Sequence, residues 1–191
     1  MNCARSILMR MFGRPRGILG RLGGVIMGRL NRGAAVGVID ALDVRADDKV
    51  LEVGFGPGVG IQILLQRAAN GSVAGVDPSQ EMVVQAAARN AAGVRSRRAD
   101  LRYGAAEHLP FADATFDKAL AINSMQVWPA ADAGLREIRR VLKPGGMVAL
   151  GFTVNSGQAK EGMIELITAA GFADARIVER PKLFCALAVK P

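Results

Sequence analysis

The feature that most constrains the fold of this chain is an apolar run that breaks into alternating glycines at residues 50–60, VLEVGFGPGVG. Such a run is typical of a buried strand that ends in a tight loop, and we expect a helix to begin near Gly60. Because glycine has no Cβ, the loop can turn sharply and a ligand can approach its backbone. The free N–H groups of the following helix favour a carboxylate or a phosphate. The stretch therefore predicts a loop that binds a nucleotide-like ligand.

The spacing of the glycines distinguishes among the known loops of this kind. The dinucleotide fingerprint G-x-G-x-x-G is absent, because Val59 or Ile61 occupies the third glycine position in the two frames. The phosphate loop G-x-x-x-x-G-K-[ST] is absent too, since no Lys-Ser or Lys-Thr pair follows. What remains is E-x-G-x-G-x-G, although the residues alone also allow a tight turn that binds nothing.

This spelling resembles the first motif of the class I methyltransferases that depend on S-adenosylmethionine (SAM). The resemblance implies that the loop backbone holds the methionine end of the cofactor. The residues that it assigns to cofactor binding here are Glu52, Gly54, Phe55, Gly56 and Gly58.

Composition limits the size and class of the protein. A chain of 191 residues, half of them apolar, suits one domain with an ample core. No uninterrupted apolar stretch reaches the roughly 18 residues of a spanning helix, so we expect a soluble, cytoplasmic protein. Cys3 and Cys185 lie far apart and show no metal-ligand spacing, so we expect neither a disulfide framework nor a metal site.

The formal net charge of +8 is concentrated at the N-terminus. Residues 1–39 contain seven arginines and no Lys, Asp or Glu, which leaves 18 basic and 17 acidic residues in the remainder. A body so close to neutral gives no support for a nucleic-acid partner. We therefore divide the chain into a basic N-terminal arm with helices, residues 1–45, and a SAM-binding domain, residues 46–191.

The arm contains a basic amphipathic pattern with helical spacing. Its apolar side consists of Leu19, Leu22, Ile26 and Leu30. Its basic side consists of Arg21, Arg29 and Arg32. Three roles stay open: packing on the edge of the domain, a lid over the substrate pocket, and peripheral contact with an anionic membrane. A second helix is expected over residues 34–42.

A second short strand, residues 72–77, ends in Asp77. The interval from Gly54 to Asp77 fits one helix and one strand, as a βαβ unit requires, and places the carboxylate beside the glycine loop. There it can accept both hydroxyls of a ribose, although Asp is also a common N-cap residue. The pattern D-x-S-x-x-M resembles the same family and implies cofactor contacts at Pro78 and Met82. Without that resemblance, Met82 would more often be a core residue.

Residues 104–111, GAAEHLPF, resemble the stretch G-D-A-E-x-L-P-F of these methyltransferases, whose aspartate usually receives the adenine amino group. Here Ala105 stands at that position. The adenine would then bind through backbone groups near Ala106, or the contact would shift to Glu107. A lost hydrogen bond to a neutral group costs about 1 kcal/mol, so we expect weaker cofactor binding rather than none.

A fourth strand, residues 116–123, is expected to adjoin the first on the far side of the crossover. Ligands of doubly wound sheets bind at this switch point, where the methyl donor and the acceptor should meet. The residues expected to line it are Asn123, Ser124, Met125, Gln126 and Trp128, with Asn123 also assigned to the cofactor. Asp117 begins the strand and so lies at the opposite end.

The rest of the chain completes the same pattern. RVLKPGG at residues 140–146 matches the family as a helix stop and a glycine turn. A last helix over residues 157–170 and a hairpin of strands 175–179 and 183–189 follow. The resemblance from Val50 to Pro191 implies a Rossmann-like α/β fold. Its seven-stranded mixed sheet has the order 3-2-1-4-5-7-6 and is flanked by helices.

The predicted pocket contains few bases. His108 is the only histidine and Tyr103 the only tyrosine, and we expect a surface role for the first and packing for the second. The resemblance implies in-line methyl transfer from SAM, in which alignment of the acceptor does most of the work. We predict a small-molecule acceptor that is already nucleophilic, and no catalytic residue is assigned. The motif spelling is most similar to quinone-biosynthesis C-methyltransferases. Action on a lipid or quinone at a membrane surface and a catalytically silent SAM-binding protein stay open.

Overall fold

One seven-stranded sheet dominates the computed structural model, which describes residues 32–191. The strand order is β3-β2-β1-β4-β5-β7-β6, and the predicted fold class is confirmed. The strands are β1 Lys49–Val53, β2 Ser72–Asp77, β3 Ala99–Tyr103, β4 Phe116–Ile122, β5 Leu142–Thr153, β6 Ala173–Arg180 and β7 Leu183–Val189.

Helices cover both faces of this sheet. The described part of α1 covers residues 32–42, which agrees with the helix predicted over residues 34–42. The other helices are α2 Val59–Arg67, α3 Gln80–Arg89, α4 Ala91–Arg95, α5 Ala131–Val141, α6 Met163–Ala169 and a 3-10 turn at Met125–Val127. The amphipathic pattern predicted over residues 18–30 lies outside the described residues. Within residues 32–191, no helix combines the length and apolar character needed to cross a bilayer.

The strand pairing creates the switch point that the sequence predicted. Leu51 of β1 lies beside Ala74 of β2 on one side and Ala119 of β4 on the other, and both pairings are parallel. The chain goes outwards from β1 to β3 and then crosses to β4, so connections leave β1 and β4 in opposite directions. A crevice therefore opens beyond the carboxyl ends of these two strands.

Side chains alternate between two apolar layers, one on each face of the sheet. Leu51 belongs to the layer under α5 and α6, whereas Val50 belongs to the layer under α1 and α2. Helix α1 is part of the second layer, because Val38 and Ile39 are fully buried in it. Strands that are buried on both faces have nearly continuous apolar sequences, which is why β1, β2 and β4 could be predicted from the sequence.

Three local predictions were wrong. The last helix is shorter than predicted, because Gly157 and Gly162 have φ values of +73° and +74° and helix α6 begins only after the second. The basic turn predicted at residues 93–98 is helical in part, within α4. The glycine turn of RVLKPGG is already part of β5, where a register shift between Phe116 and Lys118 of β4 accommodates it.

Candidate active site

The glycine loop, residues 54–58, leaves β1 in a backbone conformation that favours glycine. Gly54, Gly56 and Gly58 have φ values of +76°, +52° and +79°. Such values place the backbone in the left-handed region, where a Cβ is strained. The N–H of Gly54 donates to the carbonyl of Val76 at 2.7 Å, and that of Gly58 to the carbonyl of Phe55 at 3.1 Å. The loop is therefore tied to β2 before α2 begins.

Two glycines of this loop are also required by close packing. A Cβ on Gly54 would lie 2.3 Å from Ser124 Oγ, and one on Gly58 would lie 2.7 Å from the Cβ of Ala86. Gly56 differs, because apart from Gly56 and its two chain neighbours no atom of residues 32–191 lies within 4 Å of a Cβ built there. The backbone of Gly56 is thus the point of the loop that a ligand can approach most closely.

Asp77 lies beside this point, as predicted. Its Oδ2 accepts a hydrogen bond from the N–H of Gly56 at 2.8 Å, and its Oδ1 accepts one from the N–H of Ser79 at 2.9 Å. The side chain is only 6% exposed. Burial raises the pKa of this carboxyl to about 6, against the opposing effect of the two N–H groups. Each oxygen has a further lone pair, so the carboxylate can also accept hydroxyl groups of a ligand.

Glu52 lies beneath the loop and is 3% exposed. Its carboxyl packs against Gly60, where a Cβ would lie 2.3 Å from Oε1, and it accepts a hydrogen bond from the N–H of Ile61. Within the described residues Oε2 has no hydrogen-bond partner. Burial, with a contribution from the charge of Asp77, raises the pKa of Glu52 to about 8. Glu52 is therefore mostly protonated at neutral pH.

The end of α3 supports the glycine loop from behind. Arg89 Nε donates to the carbonyl of Pro57 at 2.8 Å, and Asn90 Nδ2 donates to the carbonyl of Gly58 at 3.0 Å. Sequence reasoning missed both residues. They lie 32 positions from the loop, and Arg and Asn at a helix end indicate only a C-terminus.

Two predicted cofactor residues have side chains that are buried in the core. Met82 is 1% exposed, and its N–H donates to Ser79 Oγ at 3.4 Å in the N-cap of α3. Phe55 packs on β2, where a Cβ on Gly75 would lie 2.5 Å from its ring. Both side chains serve the core in this structure, whereas Pro78 is exposed next to Asp77. Contact of Met82 with an adenine ring stays a prediction.

The β3–β4 loop, residues 104–115, contains the remaining positions predicted for the adenine. Ala105 is exposed and Ala106 is buried. Glu107 Oε1 accepts a hydrogen bond from the N–H of Ala130 at 3.2 Å, which directs the carboxylate towards the start of α5. Because Glu107 already makes this bond, the backbone near Ala106 is favoured over the Glu107 side chain as the group that would bind the adenine.

The residues after β4 connect three strands. Asn123 has a φ of +49°, and its Oδ1 accepts hydrogen bonds from the N–H of Thr153 at 2.9 Å and from Thr153 Oγ1 at 3.2 Å. Ser124 Oγ donates to the carbonyl of Val53 at 2.9 Å and accepts from Trp128 Nε1 at 3.0 Å. Asn123 thus joins β4 to β5, and Ser124 joins the same segment to β1.

Gln126 is different from its neighbours. Its Oε1 is buried and has no hydrogen-bond partner among the residues that the structure describes. The next residue, Val127, is 59% exposed. A buried acceptor without a donor costs about 1–3 kcal/mol, and part of this cost would be recovered if the side chain turned to meet an N–H or O–H of a bound molecule.

Comparison with known proteins identifies the family. Residues 50–146 match the family described as "Methyltransferase domain". The "Uncharacterized methyltransferase YdaC" of Bacillus subtilis (strain 168) is 32% identical over 182 residues, which cover 89% of this chain and 98% of that protein. The chain belongs to the SAM-dependent methyltransferases. The resemblance drawn from residues 52–58 and from the later motifs is thus confirmed.

Two further similarities agree with this methyltransferase assignment. The "Ubiquinone/menaquinone biosynthesis C-methyltransferase UbiE" of Rubrivivax gelatinosus (strain NBRC 100245 / IL144) is 43% identical over 89 residues, which cover 47% of this chain and 34% of UbiE. A solved SAM-dependent methyltransferase from Aquifex aeolicus has a TM-score of 0.76 at 19% identity, over 88% of this chain and 98% of that chain. The second similarity shows the fold alone.

The site fits the cofactor that this methyltransferase family uses. The open approach to Gly56 and the carboxylate of Asp77 lie at one end of the sheet and are joined by a hydrogen bond. Within residues 32–191 no group of three or more His, Cys, Asp or Glu side chains is arranged to hold a metal ion. Asp117 lies at the other end of the sheet, where its Oδ1 is 2.6 Å from Lys143 Nζ.

Proposed function

We propose that this methyltransferase transfers the methyl group of SAM to a small-molecule acceptor that binds at the carboxyl end of β4. The observation that carries the proposal is the buried Gln126 Oε1 without a donor. It lies in the segment that Ser124 ties to the end of β1, next to the glycine loop. An acceptor with one N–H or O–H group would pair with this oxygen once the Gln126 side chain turns towards the crevice, and would be oriented by it.

The proposed cofactor contacts divide along the sheet edge. The backbone of the glycine loop takes the methionine end, because Gly56 faces open space. Asp77 takes the ribose hydroxyls, and the backbone at Ala106 takes the adenine. SAM supplies a methyl group on a positively charged sulfur, which is a good leaving group. The other residues proposed for this side are Glu52, Gly54, Phe55, Gly58, Pro78, Met82, Ala105, Glu107 and Asn123.

The side chains of this site favour an acceptor that brings its own nucleophile. His108 is exposed, as predicted, and Tyr103 is 63% exposed at the end of the edge strand β3, so the prediction that Tyr103 packs in the core was wrong. The buried carboxyl of Glu52 lies under the glycine loop, on the cofactor side. Thiolates, amines, phenolates and activated ring carbons need no strong base, so positioning by the protein would supply most of the rate.

A second candidate is an acceptor that is carried in a membrane, such as a lipophilic quinone. Seven arginines and no acidic residue in residues 1–39 favour attraction to an anionic surface. The similarity to UbiE, which is named for ubiquinone and menaquinone biosynthesis, also supports this candidate. Arg→Gln substitutions at Arg10, Arg14, Arg16, Arg21 and Arg29 would lower binding to anionic vesicles if the arm makes this contact.

The experiment that tests the proposal is a screen for methyl incorporation. The full chain is incubated with methyl-labelled SAM and pools of phenols, quinols, amines and thiols, with and without anionic vesicles. Label is expected in a small organic product, and a Gly56→Val control that cannot bind the cofactor should give none. Label that appears only in protein or nucleic acid added as a competing acceptor would overturn the proposal. Label that appears only with vesicles would select the membrane candidate.

A further inference from the structure

One arginine of α5 holds the β3–β4 loop in place. Arg140 Nη1 donates to the carbonyl of Phe111 at 2.9 Å and to Asp113 Oδ1 at 2.7 Å. Its Nη2 donates to the carbonyl of Leu109 at 3.0 Å. The planar guanidinium presents several donors in a fixed geometry, so a single side chain can fix two carbonyl groups of a loop at once.

Glu137 completes this contact one turn earlier on α5. Its Oε2 accepts hydrogen bonds from the N–H of Leu109 at 2.9 Å and from Arg140 Nη2 at 2.8 Å, and its Oε1 accepts from Arg140 Nε at 2.6 Å. The hydrogen bonds from Arg140 lower the pKa of Glu137, so the pair stays charged at neutral pH. Together the two side chains bind both the N–H and the carbonyl of Leu109.

Further contacts restrain the same loop. The Arg102 guanidinium lies 4.6 Å from the centre of the Phe111 ring, and this ring packs edge-on against Phe116 at 5.1 Å. Glu107 is held by the N–H of Ala130. The loop that contains Ala105 and Ala106 is therefore fixed at residues 107–113 by contacts with β3, with β4 and with the start and end of α5.

Ala105 explains why such a fixed loop would matter. A carboxylate at this position could adjust its rotamer to meet an adenine amino group, whereas Ala105 has no polar side chain. The adenine amino group would then donate to backbone carbonyl groups, and the positions of these groups depend on the conformation of the loop. A pre-organised backbone loses less entropy when it binds a ligand.

We propose that Arg140 and Glu137 are positioning residues that hold the β3–β4 loop for recognition of the adenine end of SAM. They act through the loop and do not touch the cofactor. The inference rests on the placement of the adenine in the proposed function. It assigns to RVLKPGG a role in ligand affinity in addition to its role in ending α5 and starting β5.

The same helix offers a matched control. Arg136 pairs with Asp132 at 2.6 Å, and both side chains are more than half exposed. Both partners of this pair lie on α5 itself, so Arg136→Gln removes an ion pair of the same type without releasing the loop. Any effect of charge or helix stability should appear in both variants.

The test uses calorimetry on the full chain with S-adenosylhomocysteine and with its inosine analogue, in which an oxygen replaces the adenine amino group. The wild-type protein should prefer the adenine compound about tenfold, which corresponds to one hydrogen bond. Arg140→Gln should weaken S-adenosylhomocysteine binding about tenfold and reduce this preference to near one. Glu137→Gln, which can keep the bond to Leu109, should lie between, and Arg136→Gln should match the wild type.

The preference between the two ligands separates positioning from stability. If Arg140→Gln lowers the melting temperature but keeps the wild-type preference, Arg140 is only structural and the inference is wrong. If Arg140→Gln does not fold, the same criterion applies to Arg140→Lys and Glu137→Gln. If the wild-type protein binds neither ligand, the proposed cofactor site fails and the inference fails with it. Unchanged affinity in every variant, with binding by the wild type, overturns the inference alone.

Discussion

The two sides of the crevice are built in different ways. On the proposed cofactor side, the Asp77 carboxylate accepts hydrogen bonds from the N–H groups of Gly56 and Ser79, and Arg89 and Asn90 hold the glycine loop from behind. On the acceptor side, Gln126 keeps a buried oxygen without a partner among the described residues. The proposed cofactor side thus relies on backbone N–H groups, although Glu52 Oε2 beneath it also has no partner among the described residues, whereas the proposed acceptor side relies on one side-chain oxygen.

This contrast shows where the specificity of the enzyme should lie. A site built from backbone groups changes little when side chains change, which suits a cofactor that many enzymes share. A site that depends on one amide oxygen and on exposed Val127 can be altered by few substitutions, which suits an acceptor that differs between relatives. Substitutions on the cofactor side should therefore change the dissociation constant of SAM, whereas substitutions on the acceptor side should change kcat/KM for the acceptor.

The largest effect is expected from Gly56→Val. A β-branched side chain would occupy the open space beside Gly56 and strain its backbone at a φ of +52°, so SAM affinity should fall at least about 100-fold. Calorimetry with SAM measures this loss. Circular dichroism should still show a folded protein.

Gly58→Ala is the control for Gly56→Val. The new methyl group would meet Ala86 at 2.7 Å, so this variant should lose stability, by roughly 1–3 kcal/mol of unfolding free energy. Equal SAM affinity in Gly56→Val and the wild type would show that the ligand does not approach the loop at Gly56.

Gln126→Leu should affect the acceptor side alone. Loss of the amide oxygen should reduce kcat/KM for the acceptor about tenfold, since one hydrogen bond is removed. The dissociation constant of SAM should stay the same, because Gln126 belongs to the other side of the crevice. The melting temperature should not fall, because the variant removes a buried acceptor that lacks a donor. If Gln126→Leu weakens SAM binding and leaves kcat/KM for the acceptor unchanged, the assignment of the two sides would be reversed.

Ala105→Asp should strengthen cofactor binding about fivefold. This factor corresponds to the gain of one hydrogen bond of about 1 kcal/mol. The measurement is the dissociation constant of S-adenosylhomocysteine. Ala105→Asn is the control, since it adds a polar group of the same size without the charge. If both substitutions leave the affinity unchanged, the adenine does not lie beside residue 105.

Glu52→Gln should have the smallest effect, and we expect to see it most clearly as a change in the pH dependence of stability. Because the folded-state pKa of Glu52 is about 8, above its ordinary value of 4.5, its contribution is full below pH 4.5 and is lost as pH rises through 8. Between pH 6.5 and 8, the melting temperature of the wild type should therefore fall about 5 °C relative to the variant. Parallel melting curves would show that Glu52 is not held in its protonated form.

The sequence predicted the glycine loop and the position of Asp77 beside it, because both depend on local patterns. The glycine spacing places the loop, and the interval to Asp77 follows from one helix and one strand. The strand order followed from the resemblance of the later motifs. These features need no knowledge of which distant side chains meet.

The supports of the site could not be predicted in the same way. Ser124 packs on Gly54, Asn90 binds Gly58 and Arg140 binds Leu109, and each pair joins residues that lie 30 or more positions apart. The short α6 was missed for a different reason, because helical periodicity does not show that Gly162 adopts a positive φ. Contacts and backbone conformations that form only in the folded chain determine these features.

The central claim is that SAM lies on the glycine loop with its ribose on Asp77. The most direct test is the dissociation constant of SAM between pH 7 and pH 5, for the wild type and for Asp77→Asn. Because the pKa of Asp77 is about 6, wild-type affinity should fall by about tenfold towards pH 5, as the carboxylate is protonated and loses acceptor capacity. The variant should bind more weakly at pH 7 and show no such dependence. Equal affinities for the two proteins across this range would contradict the claim.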